Sequence, residues 1–134
     1  MGAMNNENAP QVLTVQLGSP GADLTVPAGY FIKKSKILGV YLQNGADIAQ
    51  SDTNYAILQL LNGSNKVAQF STKTTGGDGA LTANVAQAMN IDPDVGGYDV
   101  VAEGTSLKFK YDETDAGTNI ALTNALVTIV YFPY

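Results

Sequence analysis

Hydrophobic and polar residues alternate with a period of two along most of this chain. In the clearest case, Leu107, Phe109 and Tyr111 lie on one side of the segment 106–111, and Ser and Lys residues lie on the other. The segment 12–17 shows the same alternation. Because successive side chains of a β-strand point to opposite faces, this pattern predicts strands with one buried and one solvated face.

Two segments are apolar on both faces. These are 36–43 and 125–132, and the second is rich in β-branched residues, which favour strand over helix. We expect both strands to lie inside a sheet or at an interface. The segments 57–61 and 67–71 flank the turn-forming residues Asn62 and Gly63 and predict a hairpin.

Turn signals divide the chain into about eight strands. One of them, Pro27 followed by Gly29, predicts a type I turn that ends one strand and starts the next, and Gly104 predicts a second tight corner. The segment 78–89 is left open between a short helix capped by Asp78 and an ordered loop. The spacing predicts an all-β antiparallel sandwich, jelly-roll-like, with at most one short helix.

Length and composition indicate one domain and exclude many kinds of catalytic and metal-binding site. The chain has 134 residues, which suits a single domain over 11–134, and we interpret 1–10 as a cloning remnant followed by a flexible tail. It has no His, Cys or Trp, and all seven basic residues are Lys. The composition therefore excludes Ser-His-Asp triads, cysteine nucleophiles, His/Cys zinc sites and disulfides, and we predict no enzyme activity and no cofactor.

Acidic residues are the most plentiful titratable groups, in clusters at Asp92-Pro93-Asp94 and Asp112–Asp115. Paired carboxylates can hydrolyse glycosides, and carboxylates with backbone carbonyls can hold Ca²⁺. Neither cluster has the spacing of an EF-hand, and Asp favours turns because its carboxylate binds nearby N–H groups. We therefore predict structural turns, with no catalytic and no metal-binding residue.

The charge balance argues against nucleic acid. Twelve acids against seven Lys give a net charge of −5, and nucleic-acid binding needs clustered positive charge. The one basic cluster, Lys33-Lys34-Ser35-Lys36, is interpreted as a solvated strand edge that discourages edge-to-edge pairing. Neither a membrane span nor a signal peptide is expected, and the Gly76–Gly79 segment lacks the Lys of a phosphate-binding loop.

Tyrosine is the commonest aromatic residue, with seven Tyr against four Phe. Tyr is favoured at interfaces because it combines an apolar ring with a polar tip. Two aromatic groups stand out, one after a turn and one at the C-terminus. Their members are the predicted oligomer or partner interface: Tyr30, Phe31, Tyr131, Phe132 and Tyr134.

The order of corners and strands resembles small tailed-phage virion proteins, in particular capsid decoration and head-fibre domains. The resemblance lies in the Val26-Pro27-Ala28-Gly29 corner, the segment 101–111 with its turn at Gly104, the Gly117-Thr118 loop and the closing strand 125–131. It implies a non-enzymatic protein on the capsid surface that binds the major capsid protein or another virion protein and forms a trimer. The alternatives are a carbohydrate- or receptor-binding fibre tip on the same fold and an acid-pair hydrolase.

Overall fold

A computed structural model describes residues 9–21, 23–114 and 120–134. Most of the predicted N-terminal tail, Asp115 and the Gly117-Thr118 loop lie outside these ranges. In the described residues the chain contains strands, turns and bends but no helix. The strands are β1 (Gln11–Gly18), β2 (Leu24–Phe31), β3 (Ser35–Gln43), β4 (Tyr55–Asn62), β5 (Asn65–Ser71), β6 (Gln87–Ala88), β7 (Asn90–Ile91), β8 (Val100–Val101), β9 (Thr105–Thr114) and β10 (Ala125–Pro133).

Two antiparallel sheets form a sandwich, which confirms the predicted fold class. Sheet A has the order β1-β10-β3-β6, with β8 also paired to β3, and sheet B has the order β2-β9-β4-β5-β7. Apart from the β4–β5 hairpin, consecutive strands alternate between the two sheets. The chain therefore crosses the sandwich repeatedly, and residues distant in sequence become neighbours at its ends.

The core lies between the sheets and follows the predicted alternation. Leu107, Phe109 and Tyr111 of β9 are at most 1% exposed. They face the inner residues of sheet A, among which Val127 and Ile129 of β10 are completely buried. As predicted for two-faced apolar strands, β10 lies between β1 and β3, and β3 has neighbours on both sides.

The predicted corner at Pro27 is a bulge rather than a turn. Strand β2 continues through it, and the register with β9 shifts between Pro27 and Gly29. Gly29 has φ of 129°, a backbone conformation that disfavours side chains, and a Cβ there would collide with Leu13 of β1. A glycine at this point therefore lets the edges of the two sheets approach each other.

The open choice at 78–89 is resolved in favour of a loop. The Asp78 carboxylate accepts the Ser71 N–H at 2.8 Å, so it binds the preceding strand rather than capping a helix. Leu81 forms an isolated antiparallel bridge with Ile48, and the segment ends at β6.

The prediction that the Lys cluster forms a strand edge is wrong. Lys33 and Lys34 lie in the β2–β3 turn, and Lys36 lies on a strand that pairs with β10 and β8.

Candidate protein-contact site

Four strand ends meet at one end of the sandwich. The antiparallel register places Gln11, at the start of β1, opposite Tyr131 of β10. It places Ser35, at the start of β3, opposite Pro133. Strand β2 ends beside them at Phe31. The two aromatic groups of the sequence, a hundred residues apart, are therefore brought to the same end of the molecule.

These strand ends enclose a cleft of about 170 Å³. Its walls are mainly apolar, and they are formed by Gln11, Tyr30, Phe31, Ile32, Lys33, Ser35, Tyr131 and Pro133. Small-molecule sites are typically about 300–1,000 Å³. The cleft is smaller than that, so its size suits one apolar side chain of a partner rather than a cofactor.

An edge-to-face aromatic pair forms one wall of the cleft. The rings of Phe31 and Tyr131 have centroids 4.9 Å apart and an interplanar angle of 76°. This geometry places the positive edge of one ring against the negative face of the other. Phe31 is buried, whereas Tyr30 and Ile32 on either side of it are 64% and 75% exposed. The cleft therefore combines a fixed wall with an exposed apolar rim.

The structure brings together three of the five residues predicted from sequence. Tyr30, Phe31 and Tyr131 line the cleft. Phe132 does not, because the alternation of β10 places it on the outer face of sheet A, opposite Lys36. The Tyr134 ring lies 5.0 Å from the Lys34 ammonium, and the backbone N–H of Tyr134 donates to the Lys34 carbonyl. Tyr134 therefore ties the C-terminus to the β2–β3 turn.

Sequence reasoning missed Gln11, Ile32, Ser35 and Pro133, and it interpreted Lys33 as part of a strand edge rather than of this site. Ile32 was detectable, because it extends the aromatic pair Tyr30-Phe31 into three apolar residues directly before the Lys cluster. Ser35 is 1% exposed and its hydroxyl donates to the Lys33 carbonyl at 2.9 Å, which fixes the turn that carries the rim. Nothing in the sequence separates this serine from a solvent-exposed one.

The carboxylates of the two acidic clusters bind backbone N–H groups and Lys side chains close to them. The Asp92 carboxylate accepts N–H groups from Gly96, Gly97 and Tyr98 at 3.1, 2.9 and 3.2 Å, as predicted for a turn. Asp94 lies 4.0 Å from the Lys66 ammonium. Asp112 lies on β9 rather than in a loop, and its carboxylate is 3.7 Å from the Lys110 ammonium. Within the described ranges, no three acidic residues lie close enough to share a metal ion.

Two carboxyl groups have pKa values below the usual range. For Asp52, the backbone N–H of Thr75 is the main cause, followed by the Thr75 hydroxyl. For Asp92, desolvation raises the pKa, but the three N–H groups of 96–98 together outweigh it and lower the pKa. Both carboxylates therefore fasten loops while they are ionised.

Replacing Asp92 with Asn is expected to reduce the loss of stability in acid. A carboxyl group with a lowered folded-state pKa stabilises the fold above its unfolded pKa, and this contribution disappears as pH falls through the folded-state pKa. Wild-type stability should therefore fall more steeply than that of Asp92→Asn as the pH drops below about 4. Urea denaturation at pH 7 and at a series of acidic values measures the difference.

The matched control for this change is Asp94→Asn, because Asp94 is exposed and holds only a distant ion pair. It should leave the slope of stability against pH close to that of the wild type. Identical pH profiles for Asp92→Asn and the wild type would contradict the role of this carboxylate in closing the loop.

No described segment forms a helix that is long and apolar enough to cross a membrane. No family model matches the sequence, and no curated protein matches it. Solved structures similar to the chain include the infectious bursal disease virus VP2 subviral particle, at 14% identity and a TM-score of 0.43, covering 94% of this chain and 34% of that one. The T=1 particles derived from the same virus give 13% identity and a TM-score of 0.39, covering 92% and 32%.

The chain spans about a third of the length of these viral proteins. What the strands themselves define is a two-sheet antiparallel β-sandwich with an aromatic cleft at one end.

Proposed function

We propose that this protein is a non-enzymatic structural protein of a virion, which decorates and stabilises the outside of a phage capsid. Its partner would be the major capsid protein or another virion protein, and several copies, three in the simplest arrangement, would act together. The observation that carries the proposal is the aromatic cleft. It adds a site for one partner side chain to a sequence whose segments 101–111 and 125–131 resemble those of capsid decoration domains.

The cleft has the features of a protein-contact site. Contact energy is concentrated where an aromatic or aliphatic side chain fills a well-packed pocket that excludes water. Here Phe31 and Tyr131 supply the packed wall, and Ile32 on the rim is 75% exposed, so it has much apolar surface left to bury. A partner side chain in the cleft would be surrounded by this apolar surface.

Stabilisation of a shell would follow from mass action. A protein that binds the assembled lattice and not its dissociated subunits shifts the equilibrium toward assembly. The net charge of −5 also agrees with a position on the outside of the shell, because the packaged genome repels a negatively charged chain. We therefore assign it no nucleic-acid partner.

The test is co-sedimentation with empty capsids of the virus that encodes the chain. The wild type should bind, and Ile32→Asp should reduce its affinity about tenfold or more, because a charge enters the apolar rim. The matched control is Val95→Asp, since Val95 is 88% exposed but does not line the cleft. Failure of the wild type to bind, or equal binding by Ile32→Asp, would contradict the proposal.

A carbohydrate- or receptor-binding role is the second candidate. It is favoured by the exposed ring of Tyr30 beside Gln11 and Lys33, because glycan sites combine an aromatic platform with polar side chains. A glycan array screened with the wild type and with Tyr30→Ala separates the two roles. Binding that is lost in Tyr30→Ala would favour this candidate, and an array without hits would remove it.

A further inference from the structure

The two outer faces of the sandwich differ in chemistry. Each row of cross-strand neighbours on the outer face of sheet B includes polar or charged residues, such as Gln59 beside Lys110 and Leu61 beside Lys108. On sheet A, the outer face is largely apolar. Its apolar members are Val12, Leu38, Tyr41, Ala88, Val100, Leu126, Val130 and Phe132. Its polar members are Thr14, Gln16, Lys36, Gln43 and Thr128, and we call the whole outer face the sheet A face.

Much of the sheet A face is open to solvent. Val12 is 65% exposed, Leu38 is 49% exposed and Tyr41 is 40% exposed. Val12 lies directly opposite Val130 on the central strand β10. A sandwich normally solvates its outer faces with polar residues, as sheet B does, so an outer face with this many exposed apolar residues points to an interaction surface.

Gly39 allows the Tyr41 ring to lie along this face. A Cβ at position 39 would be 2.8 Å from Cε2 of Tyr41, closer than packed atoms allow. The register between β3 and β10 also shifts here, between Val130 and Tyr131, and this bulge leaves Leu38 exposed on the same side. Backbone and ring thus present exposed apolar surface in the middle of the sheet.

Charge on the sheet A face is almost absent. Of the residues that strands β1, β3, β6, β8 and β10 place there, one is charged, Lys36, and its ammonium lies 3.3 Å from the Asp99 carboxylate. Edge strand β1 contains neither a charged residue nor proline, the two features that usually keep edges from pairing. A molecule with net charge −5 therefore has a face that places almost no charge against a second copy.

We propose that the sheet A face is the surface through which copies of this chain pack against each other. The inference rests on the proposed function for one point, that several copies act together. Strands β1, β3 and β10 are eight or nine residues long and about 4.8 Å apart, and with the two-residue strands β6 and β8 they cover roughly 475 Å² per copy. Two such faces bury about 950 Å² in total, the size of a weak, reversible interface. The cleft at the end of the sandwich stays available for a different partner.

Sedimentation equilibrium at high micromolar concentration tests this proposal. The wild type is expected to be an oligomer, and Thr14→Glu and Leu38→Glu should each weaken self-association about tenfold or more. The matched control is Thr25→Glu, because Thr14 and Thr25 are both exposed on edge strands, one on the outer face of each sheet. Circular dichroism confirms that each variant keeps the wild-type fold.

The outcomes separate this inference from the proposed function. A monomeric wild type, or equal self-association in Thr14→Glu, Leu38→Glu and Thr25→Glu, overturns the interface even when the protein still binds capsids. Oligomers that Thr14→Glu and Leu38→Glu dissociate support the interface, whether they are dimers or trimers, even when no capsid is bound. A dimer would support the face and replace the proposed three copies.

Discussion

Gly77→Ala is expected to destabilise the fold by about 2–4 kcal/mol, a large part of the ~5–15 kcal/mol that holds a typical domain together. A Cβ at position 77 would overlap the carbonyl oxygen of Lys73 and lie 2.9 Å from that of Ser71. Both are backbone atoms, so no flexible side chain can move aside. The turn itself must open to admit the methyl group.

The turn at Gly77 is fixed from several sides, which is why opening it is costly. Asp78 donates its N–H to the Ser71 carbonyl at 2.7 Å, and its carboxylate accepts the Ser71 N–H at 2.8 Å. Thr72 is completely buried, and its hydroxyl accepts the Ala56 N–H at 2.9 Å. Moving this turn therefore strains the hydrogen bonds that fasten Asp78 to the end of β5 and the bond from Ala56 of β4 to Thr72.

Urea denaturation of Gly77→Ala and of Gly21→Ala measures the effect. Gly21 is the matched control, because a Cβ there meets no atom within 4 Å. Gly21→Ala should leave stability within about 0.5 kcal/mol of the wild type or raise it slightly, since alanine restricts the unfolded chain. A Gly77→Ala midpoint equal to that of Gly21→Ala would contradict the close approach.

The strands could be predicted where one face is wet and the other buried. In β9, alternation alone assigned Leu107, Phe109 and Tyr111 to the core, and all three are buried. A slip of one residue would have exposed the whole set, so the pattern fixes the face strongly. The two-faced pattern of β10 likewise predicted a strand within a sheet, and it lies between β1 and β3.

Local pattern was insufficient where tertiary contacts decided the backbone. The spacing of Leu81, Val85 and Met89 suits a helix, but Leu81 and Met89 are buried while Val85 is 49% exposed. These residues therefore share no face. A partner distant in sequence, Ile48, binds Leu81 through both backbone hydrogen bonds and holds the segment extended.

The candidate site could be predicted only in part. Both aromatic groups were identified from composition and position, and three of their five members line the cleft. Their closeness depends on the β1–β10 and β10–β3 registers, which pair segments roughly a hundred residues apart. The separation of Phe132 from Tyr131 follows from strand alternation alone, and it assigns Phe132 to the sheet A face.

Phe109→Ala is expected to reduce stability by about 3–5 kcal/mol, because it removes a completely buried ring and leaves a cavity. Phe109 lies in the middle of sheet B, between Val26 of β2 and Leu60 of β4. Leu60 is also completely buried. The surrounding backbone is held in two ladders, so the cavity cannot close by a local shift of one strand.

The neighbouring residue supplies the control for this core variant. Lys108 is adjacent in sequence but exposed on the outer face, so Lys108→Ala should change stability by less than about 0.5 kcal/mol. Phe109→Leu retains most of the buried volume and should fall between the two. Urea midpoints with an unchanged denaturant slope give the three values. A similar loss for Phe109→Ala and Lys108→Ala would contradict the assignment of inner and outer faces in sheet B, and with it the contrast that defines the sheet A face.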